Sequence, residues 1–184
     1  MNTWFTADTH FGHAAILRHQ IDTRPFDNLE QMENKIIDNI NELVMPQDTL
    51  YHLGDFCWKN SMLGHYRNRI KCKRIILIRG NHEAKGMDKL RSTFSEVYDL
   101  RKVKVEEQEI VLCHYAMRVW NKSHHGVWHL YGHSHGSLPD EDNSKSFDVG
   151  VDCWDLKPIS MSQVRDEMST RSWCPVDHHG EEEE

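Results

Sequence analysis

The side chains with chemical potential in this chain are mainly aspartates and histidines, and they come in short groups, each behind an apolar run. Asp8 and His10 follow Thr3–Ala7, and Asp55 follows Thr49–Leu53. Asn81, His82 and Glu83 follow Arg74–Ile78, His114 follows Glu109–Cys113, and His133 and His135 follow Val127–Tyr131. Carboxylate, amide and imidazole are donors that hold divalent ions. Any one of these histidines alone reads as a structural residue. Five recurrences of ligand type at a strand terminus read as one metal centre. The pairs Asp8/His10 and His133/His135 are two residues apart, which in an extended segment sends both side chains to one side. Gly54, Gly80 and Gly132 precede ligand positions and permit tight turns.

Seven groups exceed one tetrahedral shell and suit two ions that share a carboxylate. Asp55, alone at its strand end, is the natural bridge. With oxygen and imidazole donors and no thiolate, Mn, Fe, Zn, Co or Ni all fit, and manganese is the first choice. Two divalent ions, two aspartates and a bridging hydroxide leave net positive charge, which favours an anionic substrate. Two ions roughly 3.5–4 Å apart clamp an in-line displacement at phosphorus and supply hydroxide near neutral pH.

The elements that must position these groups are short strands and helices. Thr3–Ala7, Thr49–Leu53 and the run ending at Ile78 read as strands; the Ile75–Ile78 stretch suits a strand buried on both faces. Between them, Asn28–Leu43 has Leu29, Met32, Ile36, Ile37, Ile40 and Leu43 at helical spacing, with Asn28 as cap and Pro46 as stop. A second helix is predicted over about Ser61–Ile70. Strand–helix–strand–helix–strand order signals a parallel sheet with crossover helices. In the second half, 102–105 and 109–113 read as an antiparallel pair. Strands follow at 127–131 and 146–151, a polar connector spans 140–145, and a last helix starts near Ser160 behind Pro158.

With 184 residues, 38% hydrophobic and 28% charged, the chain suits one soluble domain, taken as 1–172, and a flexible acidic tail over 173–184. No apolar run approaches a membrane span, and the first residues lack a signal-peptide pattern. Five cysteines without a CxxC pair argue against a disulfide framework and for a cytoplasmic setting, where they serve as buried fillers. A net charge of −7 is a poor footprint for extended duplex nucleic acid. Composition leaves the oligomeric state open.

The ordered series Asp8-x-His10, Gly54-Asp55, Gly80-Asn81-His82-Glu83, His114 and Gly132-His133-x-His135 resembles the calcineurin-like metallophosphoesterase superfamily. The closing segment Val149–Trp154 with Lys157–Ser160 resembles the end of its small bacterial and phage members. The resemblance implies an α/β fold, a four-layer α/β/β/α sandwich of two mixed sheets flanked by helices. It implies one metal on Asp8, His10, Asp55 and His135 and another on Asp55, Asn81, His114 and His133. It also implies that His82 faces substrate, stabilises the transition state and protonates the leaving oxygen, with Glu83 as a candidate to orient it.

One departure points to substrate. Phosphoprotein phosphatases of the superfamily carry an arginine a few residues after the bridging aspartate. Here that stretch is Asp55-Phe56-Cys57-Trp58-Lys59. Without a bidentate fork for a monoester dianion, the balance moves to phosphodiesters, on a small or nucleotide-type substrate attacked by metal-generated hydroxide. Lys59 is a point-charge alternative for holding phosphate. Phosphomonoesterase or phosphoprotein phosphatase activity, a nuclease on short single strands, and a non-catalytic scaffold are the rival readings; retention of every ligand and of His82 disfavours the scaffold. His13 is a candidate to reach substrate, against a plain loop residue. Tyr115 and Trp120 could stack a nucleobase, but packing under their loop is the preferred reading. His124 and His125 read as solvated loop, His52 and His129 as sheet residues, and Arg67, Arg69, Lys71, Lys73 and Arg74 as a helix end with cations complementing its dipole.

Overall fold

The computed structural model describes residues 1–83, 86–139 and 143–177. The short apolar runs form strands, and their alternation decides what packs on what. In the first sheet β1 (Thr3–Thr6), β2 (Thr49–His52), β3 (Arg74–Ile78) and β4 (Glu96–Tyr98) run parallel. A two-residue strand, β9 (Ile159–Ser160), pairs antiparallel with β1, giving the order β4-β3-β2-β1-β9. The second sheet holds β5 (Leu100–Val105), β6 (Gln108–Cys113), β7 (Trp128–Tyr131) and β8 (Ser146–Asp148) in that order. There β5 is antiparallel to β6, with Val103 opposite Ile110, and the remaining pairs are parallel. Both sheets are therefore mixed.

Successive side chains on a strand face opposite ways. On β3, Ile75 and Leu77 join Leu50 against Met32, Ile36 and Ile40 of α2 (Leu29–Leu43), Leu63 of α3 (Leu63–Arg69) and Leu90 of α4 (Met87–Thr93). Ile78 faces the other way and, with Phe5, Ala7 and Leu53, meets Ile110, Leu112, Leu130 and Phe147 of the second sheet. Val164 and Met168 of α5 (Met161–Thr170) complete that inner core. Each of these Leu, Ile, Phe, Met and Val side chains contributes about 1.5–3 kcal/mol when fully buried. The outer face of the second sheet has a thinner cover: Val111 lies under Trp120 and Val127, with Met117 and Trp173 against them. The result is an α/β chain with two mixed sheets flanked by helices.

Local chemistry explains the boundaries. The Asn28 side chain accepts the Gln31 N–H at 3.0 Å, a cap worth about 1 kcal/mol. The chain leaves α2 at Val44, two residues before Pro46. The predicted 61–70 helix is a turn of 3-10 helix, Asn60–Met62, followed by α3. The 146–151 strand stops at Asp148, whose Oδ1 takes the Gly150 N–H at 2.7 Å and turns the chain. Ser160 caps α5 in a capping box with Gln163, so the last helix begins near Ser160 as the sequence predicts, just after β9. Sequence patterning did not predict β4, β9, α4 or the single turn α1 (Ile16–His19), all short.

Some expectations need correction. Only Cys57 and Cys72 are buried fillers; Cys113 is half-buried and Cys153 and Cys174 are exposed. Trp120 is buried as expected, but Tyr115 is 46% exposed and does not pack under its loop. The segment beyond residue 172 starts with contacts, since Trp173 lies 6.1 Å from the Trp120 ring and the Cys174 N–H donates to the Asn143 carbonyl. Residues 178–184, and 140–142 of the polar connector, lie outside the described residues. Among the described residues, no helix is long and apolar enough to cross a membrane.

Candidate metal centre

The carboxyl ends of β1, β2 and β3 from one sheet, and of β6 and β7 from the other, are stitched into one rim. The Asp8 N–H donates to the Gly54 carbonyl and the Gly132 N–H to the His114 carbonyl, each at 3.0 Å. Across the sheets, Asp8 Oδ2 accepts the His133 N–H at 2.9 Å. His114 Nδ1 donates to the Leu53 carbonyl at 2.7 Å, which leaves its Nε2 lone pair facing the rim. The approach is close: a Cβ on Gly132 would stand 2.5 Å from the Ala7 Cβ and 2.6 Å from Asp8 Oδ2.

Three sets of side chains place one ligand atom each within 4.8 Å of one another: Asp8, His10 and His135; His10, Asp55 and His82; Asp55, His114 and His133. Asp55 belongs to two sets, and its oxygens face different ways. Oδ2 lies 3.6 Å from His10 Nε2, and Oδ1 lies 3.6 Å from His114 Nε2. Asn81 Oδ1 lies 3.2 Å from His114 Nε2. Separations of 3.6 Å are too long for hydrogen bonds, but they suit donor atoms converging on a shared ion.

The donor set itself tests whether a divalent cation fits. Asp8 Oδ1 and His10 Nε2 are buried and have no hydrogen-bond partner among the described residues. Each such orphan costs about 1–3 kcal/mol. Burial, then the charges of Asp148 and Asp55, pushes the Asp8 carboxyl well above the usual carboxylate range. Burial, then the proximity of His135 and Arg24, pulls the His10 imidazole down to about 2. Burial also lowers His114. A divalent cation binds carboxylate ionised and imidazole neutral, so it relieves the first cost and uses the second. The side chains can therefore hold metal.

The i, i+2 pairs do not sit in extended backbone. Asp8 (φ 58°), His10 (φ 49°), Asp55 (φ 55°), His133 (φ 69°) and His135 (φ 49°) are all left-handed. Each costs of order 1–3 kcal/mol unless the surroundings hold it. Here they do: the Asp8 and His10 N–H groups are bound by the Gly54 and Asp55 carbonyls.

The predicted substrate-side residues divide. His82 Nε2 lies 3.5 Å from Asp55 Oδ2, its side chain is 21% exposed, and its N–H donates to Asp55 Oδ1 at 3.0 Å. His13 is at the site, with Nδ1 3.4 Å from His10 Nδ1 and its ring centroid 5.8 Å from that of His82. Glu83 neither touches substrate space nor orients the His82 ring. It is 0% exposed and accepts the N–H groups of Phe56 at 2.7 Å, and of Asp55 and Gly80 at 2.9 Å. It braces the two ligand turns from beneath. Lys59 is exposed and starts the 3-10 turn at Asn60–Met62, with its carbonyl accepting the Met62 N–H.

Residues 1–167 match the Calcineurin-like phosphoesterase superfamily domain. The chain belongs to the calcineurin-like phosphoesterase superfamily. An uncharacterized protein of Methanocaldococcus jannaschii is 29% identical over 168 residues, covering 88% of each chain. A solved protein of unknown function from Aquifex aeolicus is 25% identical and superposes with a TM-score of 0.71 over 90% of this chain and 98% of its own. A novel archaeal phosphodiesterase, 16% identical with a TM-score of 0.51 over 82% of each chain, shares the fold.

This superfamily member also carries a support layer that motif reading missed. Asp152 Oδ2 lies 2.6 Å from His135 Nδ1. Arg24, 0% exposed, binds both Asp152 oxygens, at 2.8 and 2.6 Å, and donates to the Asp8 carbonyl at 2.6 Å and the Thr9 carbonyl at 3.3 Å. Thr23 Oγ1 adds a bond to Asp152 at 2.6 Å. Burial alone would raise the Asp152 carboxyl, but hydrogen bonds from Arg24 and His135 outweigh it and hold it well below the usual range. Asp152 lay within the closing segment that carries the resemblance. Arg24, alone between the first strand and the first long helix, gave no signal.

Proposed function

We propose that this protein is a metal-dependent phosphodiesterase acting on a small or nucleotide-type phosphate ester. The observation that carries the reading is the convergence of unpartnered Asp8 Oδ1 and His10 Nε2 on a rim where Asp55 turns one oxygen to His10 and the other to His114. Two divalent ions are assigned to it, manganese first among the candidates. Asp8, His10, Asp55 and His135 would hold one, and Asp55, Asn81, His114 and His133 the other. Bound there, the ions supply Lewis acidity at phosphoryl oxygen and hydroxide near neutral pH.

The chain's own residues do the rest. Asp55 fixes the spacing of the two ligand sets. His135 is aimed by Asp152, and His114 by the Leu53 carbonyl. His82 stands over Asp55 on the partly open side, where its Nε2 can give a proton to the departing oxygen. The diester preference is supported by the arginine chemistry. Arg24 is spent behind the site on Asp152 and backbone carbonyls. Among the described residues, no arginine hydrogen-bonds or ion-pairs with Asp55, Asn81 or His82.

The test is turnover of bis(p-nitrophenyl) phosphate against p-nitrophenyl phosphate by the manganese-loaded protein. A higher kcat/KM on the diester is expected. A higher value on the monoester overturns the diester assignment, and no turnover of either overturns the enzymatic one.

A further inference from the structure

Two exposed aromatic rings border the rim, and the chemistry above uses neither. Trp58 is 43% exposed and Tyr115 is 46% exposed. Trp58 is firmly placed. Its backbone N–H donates to the Phe11 carbonyl at 2.9 Å, just after the isolated bridge between Phe11 and Cys57. Its ring lies flat on His13, with centroids 4.0 Å apart and planes 12° apart. The same indole is 4.7 Å from the His82 ring. Tyr115 borders the other half of the centre, edge-on, 4.9 Å from His114 and 4.8 Å from His133. An indole pinned by a histidine on one face, and still 43% exposed, retains open aromatic surface beside the proton donor.

The position of that surface follows from the role of His82. If His82 gives its proton to the leaving oxygen, the group attached to that oxygen lies on the His82 side of phosphorus. Trp58 is the aromatic wall on that side. Stacking on an aromatic ring is available to every nucleobase, because each has a π-face, and it selects for a ring without selecting which base. An alkyl or sugar leaving group would gain little from the same surface.

We propose that Trp58 is the leaving-group platform of this site, stacking the nucleobase of a departing nucleoside, so that the preferred substrates are phosphodiesters whose leaving alcohol is a nucleoside. The inference rests on the phosphodiesterase reading and narrows its substrate. Trp58 acts here as a specificity-determining residue and takes no part in proton transfer.

The test compares two diesters on the manganese-loaded protein: the dinucleotide of deoxyadenosine, and its abasic tetrahydrofuran counterpart, in which neither alcohol carries a base. The measured quantity is the ratio of their kcat/KM values. Trp58→Leu is expected to lower the ratio about 10-fold, within the usual range for one base on one ring, and Trp58→Phe to keep most of it. An unchanged ratio in Trp58→Leu overturns the proposal, including the case in which both substrates slow together because Trp58 merely seats His13. A second arm uses the metal-free protein and calorimetry. Wild type is expected to bind deoxyadenosine 5′-monophosphate about 10-fold more tightly than deoxyribose 5-phosphate, and Trp58→Leu to erase the difference. Equal binding by wild type overturns the platform. If neither diester is hydrolysed, the phosphodiesterase reading falls, and the calorimetric arm decides on Trp58 by itself.

Discussion

Asp152 Oδ2 lies 2.6 Å from His135 Nδ1, and this contact fixes which nitrogen of His135 faces the rim. The same carboxylate holds Arg24 in a pair whose side chains are both 0% exposed. Asp152→Asn should therefore do two separable things. Loss of the carboxylate behind a ligating histidine lowers metal affinity about 10–100-fold. Leaving Arg24 buried without its partner costs about 3–5 kcal/mol of stability. A double variant, Arg24→Leu with Asp152→Asn, is expected to recover part of the stability and none of the affinity. Urea unfolding and competition titration with a metal chelator measure the two effects.

Glu83 makes a pH prediction. Burial, then the charge of Asp55, pushes its carboxyl up from 4.5 to about 7, against backbone N–H donors that favour the ionised form. In the metal-free protein the folded state then keeps a proton that the unfolded chain has released between about pH 4.5 and about pH 7. At this group the folded state binds more protons in that window, so the contribution of Glu83 to stability falls as pH rises through it. Buried His10 and His114 titrate in the opposite sense, so the contribution is read as a difference: the urea midpoint of wild type relative to Glu83→Gln should decline across the window, and metal loading should flatten that decline by offsetting the charge of Asp55. Glu83→Gln should remove this contribution and cost about 1–3 kcal/mol, because its NH₂ group faces a backbone N–H.

Gly132→Ala probes the closeness of the rim. The added methyl meets Ala7 and the Asp8 carboxylate. Overpacking of this kind costs about 1–3 kcal/mol, within what a folded domain tolerates. The variant is expected to fold, by circular dichroism, and to bind less metal per chain than wild type, by elemental analysis.

His82→Ala separates proton donation from ion binding. Loss of a general acid lowers turnover about 100- to 10,000-fold. Metal content should stay at the wild-type level, because neither assigned ligand set includes His82. Full hydrolysis by the variant would remove His82 from the mechanism.

Chelation is expected to abolish hydrolysis and lower the melting temperature together. Ions that bind only the folded state stabilise it by about 2.7 kcal/mol at 100 times their dissociation constant. Activity that survives exhaustive chelation would detach the chemistry from the rim.

The strands that carry the candidate ligands are readable because their signal is local. Ile75–Ile78 announces a buried strand, and Gly80-Asn81-His82 announces a turn at its end. The helix from Leu29 to Leu43 was readable for the same reason, since its apolar stripe and its Asn28 cap lie within one segment. Residues whose role depends on distant partners were not. Arg24 matters because Asp152, more than a hundred residues later, meets it in the interior. Glu83 reads as a site residue from its neighbours, yet it serves two backbone turns beneath the surface. The left-handed backbone of Asp8 and His10 is invisible in sequence, because it is held by hydrogen bonds to Gly54 and Asp55, just past the end of the neighbouring strand.

The proposed ligands come from both sheets: Asp8, His10, Asp55 and Asn81 from the first, His114, His133 and His135 from the second. On the proposed assignment each ion draws on both halves, so the pair of ions acts as two rivets through a single seam. A cell short of metal would then hold a population whose halves lean on their oily interior and a few hydrogen bonds at the rim, and damage to Leu53, Ile78 or Leu112 would show itself first in that starved population.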